Sequence, residues 1–149
     1  MINNIENYLD SLYLKNKIRI ESMAYLEEIE LFCYRNRNIL DSLPSTGQFE
    51  QMKLIKDPKK LMEYIKHQYE KRTNKSWKAM IRYKKKEEVL STMFYKFLLY
   101  KIHEIYKTYV KENSETIEHN ENNLNIFKLM VNCYLEYLSD NIKIYPKDN

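Results

Sequence analysis

The side chains able to do chemistry are few in kind and poorly spaced for it. His67, His103 and His119 stand far apart in the chain, whereas a metal ion needs ligands converging from set offsets. His103-Glu104 opens like a zinc-protease helix, but Lys107 occupies the place of the second histidine. Carboxylates occur as neighbours, Glu27/Glu28 and Glu87/Glu88. Adjacent side chains on a helix diverge by about 100° and cannot share a proton across a cleft. Cys33 and Cys133 each sit in an apolar helical pattern, which suits reduced thiols packed as small hydrophobes. The single glycine, Gly47, excludes phosphate-cradling loops, dinucleotide fingerprints and nucleophile elbows, each of which needs two or more. The chain therefore reads as non-enzymatic, with no cofactor and no metal.

Charge is distributed unevenly. Between Lys53 and Lys86 there are 13 Lys/Arg against 3 Asp/Glu, whereas the remainder holds 12 against 18, so a basic middle third sits inside an acidic protein. Lys71, Lys75, Lys78, Arg82 and Lys85 recur at offsets of four, three, four and three, which on a helix would form one stripe. Such a stripe could track phosphates or meet an acidic partner, with Trp77 and Tyr83 nearby as stacking groups. A solvated helix face accounts for the same lysines, and Trp77 beside Met80 and Ile81 fits a core position. The chain is also rich in tyrosine, with 14. Tyr95, Tyr100 and Tyr106 flank an apolar stripe and are candidate contacts to a protein partner.

The elements that must position these residues read as helices. One glycine and three prolines in 149 residues, 31% of them charged, argue against a turn-rich β fold and against low-complexity disorder. The spacing predicts a short first helix from Asn3-Glu6 through Leu12 and a longer one from Ile18 carrying Tyr25, Ile29, Phe32, Cys33, Ile39 and Leu40. It ends near Pro44, with Ser45-Thr46-Gly47 as a turn. Asp57-Pro58 starts a helix lined by Leu61, Met62, Ile65 and Tyr69. A short helix from Ser76 turns Trp77, Met80 and Ile81 inward. A central helix spans about Lys86 to Val110, through Val89, Leu90, Met93, Phe94, Phe97, Leu98, Ile102, Ile105 and Tyr109. Asn113 to Asn123 reads as a polar loop, and a last helix runs from Leu124 to Leu138, with Pro146 as a stop. The expected fold is a single all-α domain over residues 1–149, a compact bundle of five to seven helices around the central apolar one. No basic flank precedes an apolar run at the start, and no stretch is apolar enough to span a bilayer. The expectation is a cytoplasmic protein without membrane contact.

In this helix order the chain resembles the poxvirus Bcl-like proteins. Glu30-Leu31-Phe32-Cys33-Tyr34-Arg35-Asn36-Arg37 is similar to the aromatic-Arg-Asn end of that family's first core helix. Lys86 to Tyr106 is similar to its central helix, and Asn123 through Ile142 to its closing helix. The resemblance implies a non-enzymatic viral inhibitor of a host protein, acting on apoptosis by holding helices in a groove or, lacking an anchor, on innate signalling. Lys96-Phe97-Leu98-Leu99 and Lys101 depart from the small residues usual in that family's central helix. A second likeness is to small phage transcription regulators, which share the spacing from Tyr8 to Pro44 and would make the chain a nucleic-acid-associated protein using residues 53–86. The expected partners are thus a host protein or, in the alternative, nucleic acid. Oligomeric state is open, a homodimer included.

Overall fold

The computed structural model describes the backbone of residues 2–71, 75–111 and 117–145, and side chains except those of 2–11, 14, 111 and 117–122. Five α-helices and one antiparallel hairpin follow in the order α1 (Ile2–Arg35), α2 (Thr46–Leu54), α3 (Pro58–Glu70), β1 (Met80–Lys85), β2 (Glu88–Met93), α4 (Phe94–Tyr106) and α5 (Ile117–Ile144). The fold is 77% helical but not purely α. The side chains of the expected Asn3–Glu6 capping pair and of His119, and the stop at Pro146, lie outside the described residues.

The two expected leading helices are one rod of 34 residues. Lys15-Asn16-Lys17 interrupts the apolar pattern, yet no proline or glycine stands there, and exposed polar residues with fair helix propensity do not stop a helix. The rod ends at Arg35, and a 3-10 turn at Leu40–Ser42 buries Leu40. Ser45 caps a helix, α2, where a turn is expected from Ser45-Thr46-Gly47: the Gln48 side chain accepts from the Ser45 N–H at 3.2 Å, and Phe49 and Met52 are buried. Helix α3 starts where expected, with the Asp57 carboxylate accepting from Lys59 N–H at 2.8 Å and Pro58 at the first position. Helix α5 begins at Ile117, so the segment expected as a loop is helical from there, and it runs past Leu138 to Ile144.

The largest correction falls on residues 80–93. The expected helix from Ser76 is a 3-10 turn over Lys75–Lys78, and the first third of the expected central helix is strand. Residues Met80 to Lys85 pair with Met93 to Glu88 in register, leaving Lys86 and Glu87 as the turn. Ile81 is buried and Tyr83 half-buried on the inner face, while Met80 and Val89, expected inside, are exposed. Lys86 takes φ 57, a left-handed backbone that a lysine holds at a cost of about 1 kcal/mol. The Phe94 N–H donates to Ala79 O at 2.9 Å and closes the base of the hairpin, so α4 begins directly behind it.

One side chain fastens this hairpin to α1. Asn36, 4% exposed, donates from its amide to Phe32 O and to Arg82 O, each at 2.8 Å, and accepts from Arg82 N–H at 2.8 Å. It caps the rod and pairs with the outer edge of β1 as a third strand would. Behind it lies one contiguous core, in which Phe32 stacks on Phe97 at 4.8 Å and α4 supplies Leu98, Ile102 and Ile105 against Phe127, Val131, Tyr134 and Leu135 of α5. Lys101, 8% exposed, reaches Glu28 of α1 at 2.7 Å and Glu104 at 3.3 Å, over the ring of Tyr134 at 5.5 Å. Asn36→Ala, read by chemical denaturation, is expected to cost about 1–3 kcal/mol, because the part-buried Arg82 N–H and C=O lose their partner while Phe32 O keeps the Asn36 N–H. Lys86→Gly is expected to stabilise by about 0.5–1 kcal/mol and Lys86→Val to destabilise by about 1 kcal/mol or more in the same measurement.

Candidate functional site

The helical stripe expected of the five basic residues does not form. Lys71 follows the last turn of α3, Lys75 and Lys78 lie on the 3-10 turn, and Arg82 and Lys85 lie on β1. Side chains alternate along a strand, so positions 82 and 85 face opposite sides of the hairpin. All five are exposed. Two have folded onto tyrosines: the Lys78 ammonium sits 5.3 Å from the centre of the Tyr69 ring and that of Lys85 4.8 Å from the Tyr100 ring. Trp77 is fully buried, 5.8 Å from Phe94 between ring centres, and is part of the core.

The three tyrosines of α4 do not share one surface. Tyr95 stacks on Tyr69 at 4.0 Å. Tyr100 donates to the Glu104 carboxylate at 2.8 Å, and burial, reinforced by that carboxylate, pushes its hydroxyl up to about 12. Tyr106 meets Phe127 edge-on at 5.5 Å and opens into a groove.

That groove has both apolar and charged walls, as does a smaller cleft of about 320 Å³ between α1 and the hairpin. One lobe, about 420 Å³, lies among Pro58, Met62 and Lys66 of α3, His103 and Tyr106 of α4, and Leu124 of α5. A second lobe, about 730 Å³, continues over Pro58 and Leu124 to Lys53, Lys56, Lys128, Leu129 and Asn132. The sequence places these residues by helical spacing: Lys59, Met62, Glu63 and Lys66 rise along one side of α3, and Leu124, Lys128 and Asn132 are four apart on α5. The floor is apolar, with Leu129 52% exposed. The rim carries Lys53, Lys56, Lys59, Lys66 and Lys128 against Asp57 and Glu63. Lys53 is engaged with Glu50 at 2.8 Å, and Asp57 caps α3.

Lys128 is the exceptional member. Its ammonium donates to the Met52 carbonyl at 3.1 Å, at the open end of α2, and the Asn132 amide donates to Lys53 O at 3.3 Å beside it. Burial lowers the lysine to about 8, because the charge has lost water without gaining a carboxylate among the described residues. The Asn132 side-chain oxygen is buried without a hydrogen-bond partner among the described residues. The groove therefore holds one cation that is half-desolvated and one acceptor that is unmet. Sequence reasoning missed Lys128, Leu124 and Leu129. Their spacing was legible, but nothing local says that α5 lies beside the start of α3.

No group of three or more His, Cys, Asp or Glu side chains among the described residues is placed to hold a metal ion. No described helix is long and apolar enough to cross a membrane. The free thiols Cys33 and Cys133 are buried and half-buried, and burial pushes Cys33 up to about 11, away from thiolate chemistry.

A lysine lowered in the fold binds fewer protons than in the unfolded chain between pH 8 and 10.5, so its contribution to stability rises with pH across that window. Lys128→Met removes the penalty. It is expected to stabilise by about 1 kcal/mol at pH 7, allowing for solvent screening. Across pH 8 to 10.5 the difference between wild type and variant should shrink in denaturation curves. Comparison with known families, curated proteins and solved structures found no match for this chain.

Proposed function

We propose that the chain is a non-catalytic protein-interaction module that inhibits a host regulatory protein by occupying its surface, and that the groove between α3 and α5 holds an acidic, apolar-faced segment of that protein. The observation that carries this reading is Lys128: an incoming carboxylate would supply the counter-charge that its half-buried ammonium lacks, while apolar side chains of the same segment cover Met62, Tyr106, Leu124 and Leu129. The resemblance to the poxvirus Bcl-like proteins gives the reading its direction, towards innate signalling or apoptosis and a viral or mobile-element source. Packing of Phe32 against Phe97 favours it. The hairpin at residues 80–93 departs from it, since that likeness takes Lys86 to Met93 as helix.

The nucleic-acid reading keeps one observation, the consecutive exposed residues Lys84, Lys85 and Lys86 at the end of the hairpin. Binding to arbitrary duplex or single strands with a log–log salt slope of about −3 to −4 would support about four phosphate contacts. No binding at low salt removes this reading.

The groove is tested with two model peptides of equal helicity, one Glu/Leu-rich and one Lys/Leu-rich, by NMR titration of the whole chain. The acidic peptide is expected to shift the signals of Lys128, Leu129 and Tyr106, and Lys128→Glu to weaken it by about tenfold, the size of one lost charge-assisted contact. Equal response to both peptides, or none, overturns the groove assignment.

A further inference from the structure

Arg82 shows which way β1 turns its backbone. Along an antiparallel strand, residues that bond the neighbouring strand alternate with residues whose N–H and C=O face away from it. The Asn36 amide takes both groups of Arg82, so Arg82 faces away from β2, and Lys84, two residues on, faces the same way. Asn36 closes the edge at Arg82 alone. The backbone N–H and C=O of Lys84 have no hydrogen-bond partner among the described residues, and Lys84 lines the cleft of about 320 Å³ between α1 and the hairpin. That volume reaches the lower bound, about 300 Å³, of clefts that hold small molecules.

The floor of the cleft is aromatic: Phe32 stacks on Phe97 at 4.8 Å, and the Tyr83 ring lies 5.5 Å from Phe97. Glu27, Leu31 and Arg35, four apart on α1, form one wall, with Leu31 49% exposed. Charge is unequal along it. From the Asn36–Arg82 junction, helix rise and strand rise place Arg35 and Lys84 within about 7 Å, and Glu27 and Lys86 both about 13 Å away. At the far end, then, an anion and a cation offset each other, and Glu28 is already held by Lys101 at 2.7 Å. At the near end Arg35 and Lys84 have no carboxylate partner among the described residues. The unmet charge and the unmet N–H of Lys84 thus call for one anionic head, and the rings beside them for a flat apolar body.

We propose that this cleft binds a small aromatic monocarboxylic acid, its carboxylate accepting from the Arg35 guanidinium and the Lys84 N–H and its ring laid over Phe32, Tyr83 and Phe97. The cleft shares no lining residue with the groove between α3 and α5, so either site can fail without the other.

NMR titration of the full chain tests it, with 4-phenylbutyrate as the probe and 4-phenylbutan-1-ol, 4-phenylbutylamine and acetate as its counterparts. Phenylbutyrate is expected to shift the Lys84 amide and Leu31 methyl signals saturably, and the alcohol, amine and acetate to bind at least about tenfold more weakly, each having lost the head or the body. Arg35→Gln and Leu31→Gln, neither at a buried position, are each expected to weaken phenylbutyrate several-fold to about tenfold while the amide spectrum stays that of the folded chain. No saturable response, an equal response to the alcohol or the amine, an equal response to acetate, or shifts confined to Lys128 and Leu129 would overturn the site. A tighter response at Lys84 to an acidic, phenylalanine-containing peptide than to the free acid would overturn it in favour of a peptide ligand.

Discussion

The architecture depends on the carboxamide of Asn36. A two-stranded hairpin alone is marginal in water, and its outer edge presents backbone groups that another chain can claim. Asn36 answers both problems from the last turn of α1: one amide takes the Arg82 N–H and C=O together and ties off a helix carbonyl with its remaining hydrogen. Because the group is buried, its three bonds work at reduced dielectric, and their geometry fixes the distance and angle between rod and hairpin. Tyr83 then lies on Phe97 and Tyr100, and the strand delivers the chain into α4 from the side at which Phe94 can enter the core.

The core below this clamp combines two kinds of contact with different specificity. Stacked and edge-on rings bind α1, α4 and α5 over a broad range of orientations. The Lys101 ammonium between Glu28 and Glu104 permits far fewer arrangements, because a displaced partner would leave a charge in poor solvent. Glu28 and Glu104 keep nearly half of their side-chain surface in water, which limits the desolvation cost of the cluster. Burial also holds the hydroxyls of Tyr25 and Tyr134 well above the ordinary phenol range, with the same carboxylates adding to the effect, so this junction stays uncharged on its aromatic side.

What was legible in the sequence follows how local the determining forces are. Asp57-Pro58 defines a helix start by short-range chemistry, and α3 begins there. The inward residues of α1, α4 and α5 were found by their 3.6-residue spacing, since burial of a helix face is written into its own period. The hairpin was not legible because Val89, Leu90, Met93 and Phe94 satisfy helical spacing as well, and Lys84 to Glu88 contains none of the residues that announce a turn. Its stabilising partner, Asn36, is 46 residues away from Arg82. The groove was hidden for the same reason: Lys59 and Lys128 each look like ordinary surface lysines until α3 and α5 are side by side.

Trp77 has a further consequence. It is the chain's one tryptophan, sealed from solvent at the junction where the 3-10 turn meets Phe94 at the root of the hairpin, and its indole N–H has no hydrogen-bond partner among the described residues. The chain also holds fourteen tyrosines, whose excitation a single tryptophan can accept. The molecule therefore carries a native optical gauge of that seam: a sealed indole is expected to emit in the blue while the seam is shut and to redden when water enters, without any label attached.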